Sequence, residues 1–397
     1  MMKRRQWLLG AASAPLLAAQ AAPVAESGPS RGSGDLGVVV ARARGALALV
    51  DTSQRSVLAT IDGLGDLSHA SVVFSRDGGT AYVFGRDGAL TQVNLLERRI
   101  ERRVMQAGNS IGGAISQDGT LVAAQNYTPG GIKVFDARTL ELVADIPAEF
   151  APGQRSRVVG LVDVPGNRFV FSLFDADAIW VADLSDRTRP QLTKIENVGR
   201  QPYDALVTPD GRHYIAGLFG EDGLALVDLW DEPWRARRIL AGYGRGEQPL
   251  PVYKMPHLRG WAVAGRHAYL PAIGRHEVLV VDTQSWQEVD RIAVAGQPVF
   301  VMARPDGRQV WVNFAVPDYD RVQVIDTLTR RVQRTLEPGK AVLHMEFTPR
   351  GEAVWISSRD ANRVSVIDTQ RFTTLAQLEV DAPSGVFFTS RAARTGF

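Results

Sequence analysis

The side chains able to do chemistry in this 397-residue chain are six histidines, 45 Lys+Arg and 43 Asp+Glu, with no cysteine. The missing thiol excludes thiolate metal sites, disulfides, thiol nucleophiles, iron–sulfur clusters and covalent c-type haem attachment. Any metal must arrive inside a cofactor or be held by His and carboxylates. Four histidines sit in suggestive settings: His69 in Leu67-Ser68-His69-Ala70, His257 in Met255-Pro256-His257, His344 in Leu343-His344-Met345, and His276 beside Arg275. What they can do depends on which elements carry them.

Those elements repeat. An alternating apolar strand ending in Asp or Asn recurs at Asp51, Asn94, Asp136, Asp183, Asp228, Asp282, Asp326 and Asp368, at intervals of 43, 42, 47, 45, 54, 44 and 42 residues. Most units also carry a polar turn near their middle, as in Ser75-Arg76-Asp77-Gly78, Ser116-Gln117-Asp118-Gly119 and Thr208-Pro209-Asp210-Gly211. Period-2 strands with Gly and Pro turns at this spacing predict an all-β, eight-bladed propeller with four-stranded blades. The chain opens in mid-unit at Gly37-Val38-Val39-Val40 and closes with Ser384-Gly385-Val386-Phe387-Phe388. Pairing of these N- and C-terminal strands is expected to close the ring and remove the free edge. The expected domain is 35–390, after a polar leader at 22–34 and before a tail at 391–397. The 54-residue interval adds a long loop from about Asp231 to Arg259.

Strand direction alternates across a blade, so loops entering first strands share a face with loops joining second to third strands. His69, His257, His344 and His276 then belong to the upper face, and His213 and His267 to the lower. Counting back six residues from the mid-unit turns reaches His69 and Arg157; counting back four reaches Asp204 and His344. Even offsets share one strand phase, so these four side chains are expected to converge at the upper mouth of the central channel. The upper loops add Arg86, Tyr127, Arg155, Arg200, Tyr203, Lys254, Arg275 and Arg359, with Phe300 nearby. Such a mouth suits a planar ligand carrying several carboxylates: Arg forks bind carboxylates, aromatic rings cover a flat face, and neutral imidazole ligates iron. The same residues fit a plain solvated mouth with ordinary surface charges and hydrogen-bonded histidines. Asp204 serves equally well as an acid/base group or as the partner of Arg200 or Arg157.

Lys3-Arg4-Arg5 precedes an apolar run that ends at Ala19-Gln20-Ala21, the pattern of a cleaved export signal over residues 1–21. The Arg pair followed by an aromatic and two leucines fits the twin-arginine route, so the expected location is the periplasm, with no membrane span after cleavage. Losing Lys3, Arg4 and Arg5 leaves 42 basic against 43 acidic residues, and nucleic acid is not an expected partner. Gly32-Ser33-Gly34-Asp35-Leu36-Gly37 matches a dinucleotide pattern but precedes a strand, so no helix N-terminus is offered to a pyrophosphate.

Several stretches are distinctive: Gly34-Asp35-Leu36-Gly37-Val38-Val39, Gly63-Leu64-Gly65-Asp66-Leu67-Ser68-His69-Ala70-Ser71, Ala107-Gly108-Asn109-Ser110-Ile111-Gly112-Gly113-Ala114, Lys254-Met255-Pro256-His257 and Arg275-His276-Glu277-Val278. Together they resemble the NirF family of haem d1 biosynthesis proteins, whose fold is similar to the d1 domain of cytochrome cd1 nitrite reductase. The likeness covers essentially the whole mature chain. It implies a periplasmic protein that binds haem d1 or its dihydro-haem d1 precursor in a late step of cofactor assembly, with nitrite reductase and NirN as partners and a homodimer allowed.

The same resemblance implies roles for individual residues. His69 would be an iron ligand or proton donor, and His344 or His257 a second haem-facing group; His69 and His344 are the candidate iron ligands. Arg86, Arg155 and Arg157 would hold carboxylates, and Tyr203, Lys254 and His276 join the binding set. Asp204 and Asp163 are the acidic catalytic candidates, although the unit alignment sends Asp163 toward the lower turns. Many members look like lipoproteins, which the missing lipobox Cys excludes here. Three functions compete: a tetrapyrrole-modifying enzyme such as an oxidoreductase, a carrier that hands the cofactor on unchanged, and an unrelated lactonase-like or protein-interaction propeller.

Overall fold

Eight four-stranded antiparallel sheets follow one another along the chain in a computed structural model that describes residues 32–243, 260–272 and 275–394. Seven blades are built from consecutive strands. Their innermost strands are Ser71–Phe74, Asn109–Ile115, Val158–Val164, Pro202–Val207, Ala262–Ala264, Pro298–Ala303 and Val342–Phe347. The eighth takes its inner strand from the C-terminal end, Pro383–Phe388, and its other three from Leu36–Ala41, Ala46–Asp51 and Ser56–Ile61. The ring therefore closes by pairing both ends of the chain, which leaves no blade incomplete.

The repeating acid is a structural device. Seven of the eight third strands end on it, from Asp51 to Asp368, and the eighth ends on Asn94. In each case its side-chain oxygen accepts amide hydrogens from the turn that follows, as Asp136 does from Arg138 and Thr139 and Asp326 does from Thr329. An Asx turn of this kind satisfies turn amides locally and reverses the chain into the outer strand. The mid-unit turns join first to second strands, where Ser75, Ser116 and Thr208 hydroxyls bond the Asp two residues on.

The core lies between blades. Trp355 of the seventh blade is fully buried and meets Phe388 of the closing blade edge-on, ring centres 5.5 Å apart. Such a pair adds about 0.5–1.5 kcal/mol beyond the area it buries.

Two features depart from the expected pattern. A small hairpin, Glu149–Ala151 with Gln154–Arg155, is inserted between the second and third blades. The C-terminal boundary also shifts. Thr389–Ala393 forms a 3-10 turn in which Thr389, Arg391 and Ala392 are buried, so residues expected in a tail belong to the domain.

Candidate functional site

A cavity of about 290 Å³ opens among the upper ends of the inner strands. His69 enters it from the segment leading into the first blade, Tyr203 and Asp204 from the fourth, Phe300 from the sixth, His344 from the seventh, and Phe387 and Arg391 from the closing blade. Residues far apart in sequence meet here because each blade contributes its inner strand to one axis.

On the fourth-blade side the wall is aromatic. Tyr203, Phe174 and Phe219 form a triangle with ring centres 5.7–5.8 Å apart. The Tyr203 hydroxyl lies 2.9 Å from that of Tyr127, whose ring is covered by the Arg86 guanidinium at 5.6 Å. Burial, with the nearby Asp204 charge adding to it, raises the Tyr127 hydroxyl above its ordinary value despite its bond to Tyr203. The Tyr127 hydroxyl thus stays protonated at neutral pH, with the buried Asp204 side chain nearby.

On the opposite side His344 is clamped. Its ring packs against Phe387 at 5.3 Å and edge-on against Phe300 at 5.9 Å. The Val386 amide donates to its Nδ1 at 3.3 Å. Arg391 covers the other part of the Phe387 wall, its guanidinium 5.2 Å from the ring, and pairs with Glu346 with both side chains buried.

The cation at the cavity edge is Arg42, in the loop between the second and third strands of the closing blade. Among the described residues its guanidinium has no ion pair or hydrogen bond. Burial first, and the like charge of Arg359 second, lower its pKa. An anion at this position would relieve both.

Several residues expected at the mouth sit elsewhere. Arg157 does not line the cavity: it grips Asp175 with bonds of 2.5 and 3.0 Å and stacks on Phe174 of the aromatic wall at 4.3 Å. The strand it leads into carries an extra residue between Val159 and Val162, where Gly160 takes φ +63°. Arg155 is exposed on the inserted hairpin and does not line the cavity, and neither does His276. Arg86 does not line the cavity among the described residues; its guanidinium covers the Tyr127 ring. Asp163 is fully buried near the lower turns, 3.5 Å from Arg76, which also donates to the carbonyls of Ser116 and Ala392. Asp163 therefore belongs to the lower closure of the ring rather than to this site. Lys254 and His257 lie outside the described residues. No three His, Asp or Glu side chains gather in a metal-binding cluster among the described residues.

Comparison with known proteins bears on what such a cavity serves. Residues 31–392 match the Cytochrome D1 heme domain family. Protein NirF of Stutzerimonas stutzeri is 63% identical over 370 residues, covering 93% of this chain and 95% of that one. The chain belongs to the NirF family. The NirF protein of Pseudomonas aeruginosa is 59% identical over 96% of this chain and 98% of its own length. Among solved structures, the dihydro-heme d1 dehydrogenase NirN in complex with DHE superposes with a TM-score of 0.80 at 25% identity, over 92% of this chain and 78% of that one. AztD of Citrobacter koseri, at 12% identity and a TM-score of 0.63 over 88% of this chain and 96% of its own, shares the fold alone.

In this NirF-family chain, sequence reasoning brought out His69, Asp204, His344, Tyr203 and Phe300 but missed Arg42, Phe387 and Arg391. A signal for Arg42 existed. It stands nine residues before the repeating acid Asp51, as Arg359 stands before Asp368, so the two occupy the same place in the upper loops of neighbouring blades. Arg391 gave none, because it lies past the last repeat.

Proposed function

We propose that the upper cavity binds haem d1 or its dihydro-haem d1 precursor and that the protein acts in a late step of haem d1 maturation, in the periplasm. One observation carries this reading. His69, His344 and Asp204, from three separate blades, meet in a single cavity edged by Arg42 and walled by Tyr203, Phe300 and Phe387. The donor set fits a tetrapyrrole. His69 supplies an imidazole for iron, Arg42 a fork for a carboxylate, and the aromatic walls a surface for a flat macrocycle. At about 290 Å³ the space is at the small end of ligand sites, so a macrocycle would sit partly in the open mouth. The family membership and the DHE complex of the structural relative NirN support the same ligand class.

Bound iron would supply redox chemistry; the chain's own groups would manage protons and orientation. Asp204, buried beside the Tyr127–Tyr203 hydroxyl pair, is placed to take up or release a proton, and the phenols to relay it. This favours an enzyme over a carrier that delivers the cofactor to nitrite reductase or NirN. Mixing the purified protein anaerobically with the dihydro-haem d1 precursor, while following spectrum and mass, separates the readings. A mass change supports catalysis, a shifted spectrum with unchanged mass supports the carrier, and no spectral change defeats both.

A further inference from the structure

We infer that His344 is a hydrogen-bond donor to an oxygen acceptor of the bound ligand and not an iron ligand. The decisive contact is the one from the Val386 amide to Nδ1, at 3.3 Å. A backbone N–H can only donate, so Nδ1 must hold a lone pair. In a neutral ring the proton is then on Nε2. A metal-ligating histidine shows the reverse: it donates its second ring N–H to an acceptor and thereby frees a lone pair for the metal. With Nδ1 engaged as an acceptor, ligation through Nε2 would require an imidazolate or the loss of the Val386 bond.

The fold enforces this state with two ties between the same pair of strands. His344 and Glu346 are two residues apart on Val342–Phe347 and so share a face. His344 meets the Val386 amide and the Phe387 ring, and Glu346 meets Arg391 just beyond that strand. Phe300 closes the third side edge-on. A ring flip would replace Nδ1 with a carbon facing the Val386 amide and leave that donor unsatisfied. Among the described residues, His69, entering from the first blade, is the other imidazole that lines the cavity.

The named ligand rests on the tetrapyrrole reading above; the ring's protonation does not. The first test uses the full-length, ligand-free protein labelled with ¹⁵N-histidine, and long-range ¹H–¹⁵N correlations that assign each ring's tautomer. One tautomer is expected for His344, protonated at Nε2 and bare at Nδ1. A proton on Nδ1, or a mixture of tautomers, overturns the inference.

The second test titrates ferric haem d1 into wild type, His344→Gln and His344→Met, with absorbance and electron paramagnetic resonance of the iron as readouts. Gln keeps a donor near the Nε2 position and should bind within about threefold of wild type, while Met fills the space without a donor and should bind about 2- to 10-fold more weakly. Both should leave the iron spectra as in wild type. Spectra showing a lost or replaced axial ligand in either variant would make His344 a ligand and overturn the inference. If wild type leaves the haem d1 spectrum unchanged, the tetrapyrrole reading falls and with it the acceptor named here, whereas the tautomer is still decided by the first measurement.

Discussion

Arg391 Nε donates to Glu346 Oε1 at 2.8 Å, with the two side chains only 4% and 5% exposed. This pair ties the C-terminal turn to the inner strand of the seventh blade, two residues from His344. Removing one partner of a buried pair leaves an uncompensated charge, so Arg391→Ala should cost about 3–5 kcal/mol. Replacing both by apolar residues, Arg391→Met with Glu346→Leu, should cost much less than either single change. Urea denaturation followed by tryptophan fluorescence checks this; a loss below about 1 kcal/mol for Arg391→Ala would show that the pair does not hold the turn in place.

Arg42 and Arg157 make a contrasting pair of predictions. Among the described residues the Arg42 guanidinium, at the cavity edge, makes no hydrogen bond or ion pair, whereas Arg157 is held by Asp175. A charged hydrogen bond to a ligand carboxylate is worth about 1.5–3 kcal/mol, so Arg42→Ala should weaken ferric haem d1 binding by roughly 10- to 150-fold. Arg157→Ala should leave it within about threefold, since it offers the ligand no such bond. An absorbance titration that ranked them the other way would move the carboxylate anchor to the third blade.

Gly113 explains a glycine pair that sequence alone leaves unaccounted for. A Cβ there would stand 2.2 Å from the Ala123 carbonyl oxygen and 2.3 Å from the Phe84 ring, neither of which can retreat within the packed sheet. Gly113→Ala should therefore lose about 1–3 kcal/mol through overpacking, visible as a lower thermal midpoint. An unchanged midpoint would mean the first and second blades are less closely packed than described.

Acid should weaken the propeller through its turns. Burial pushes the Asp118 carboxyl up, but hydrogen bonds from Ser116, Thr120 and Asn167 outweigh it and hold the group at about 2. The Thr329 amide, first among its contacts, likewise lowers Asp326. A carboxylate whose folded pKa lies below its unfolded value stabilises the protein above the unfolded pKa and ceases to do so as pH falls through the folded one. Denaturation midpoints should thus decline between about pH 4 and pH 2, and Asp118→Asn should start lower but decline less. Parallel pH profiles for the two proteins would remove Asp118 from the account.

The repeat was legible because each unit needs the same Asx turn, and an acid at the end of an alternating strand writes that need into the sequence. The placing of His69, Asp204 and His344 at one axis followed from the same periodicity. Arg157 does not line the cavity because Asp175 and Phe174 hold its guanidinium, and neither partner is legible from strand spacing. The tautomer of His344 was likewise unreadable, since it depends on the Val386 amide 42 residues away. Arg391 lies outside the periodic part of the chain, where a repeat cannot forecast burial.

Locating iron in crystals of the protein grown with ferric haem d1, by anomalous scattering at the iron edge, tests the central claim most directly. The account predicts one iron peak in the upper cavity, within bonding distance of His69 and not of His344. A peak elsewhere on the propeller, or crystals of intact protein with no iron in that cavity, would contradict it.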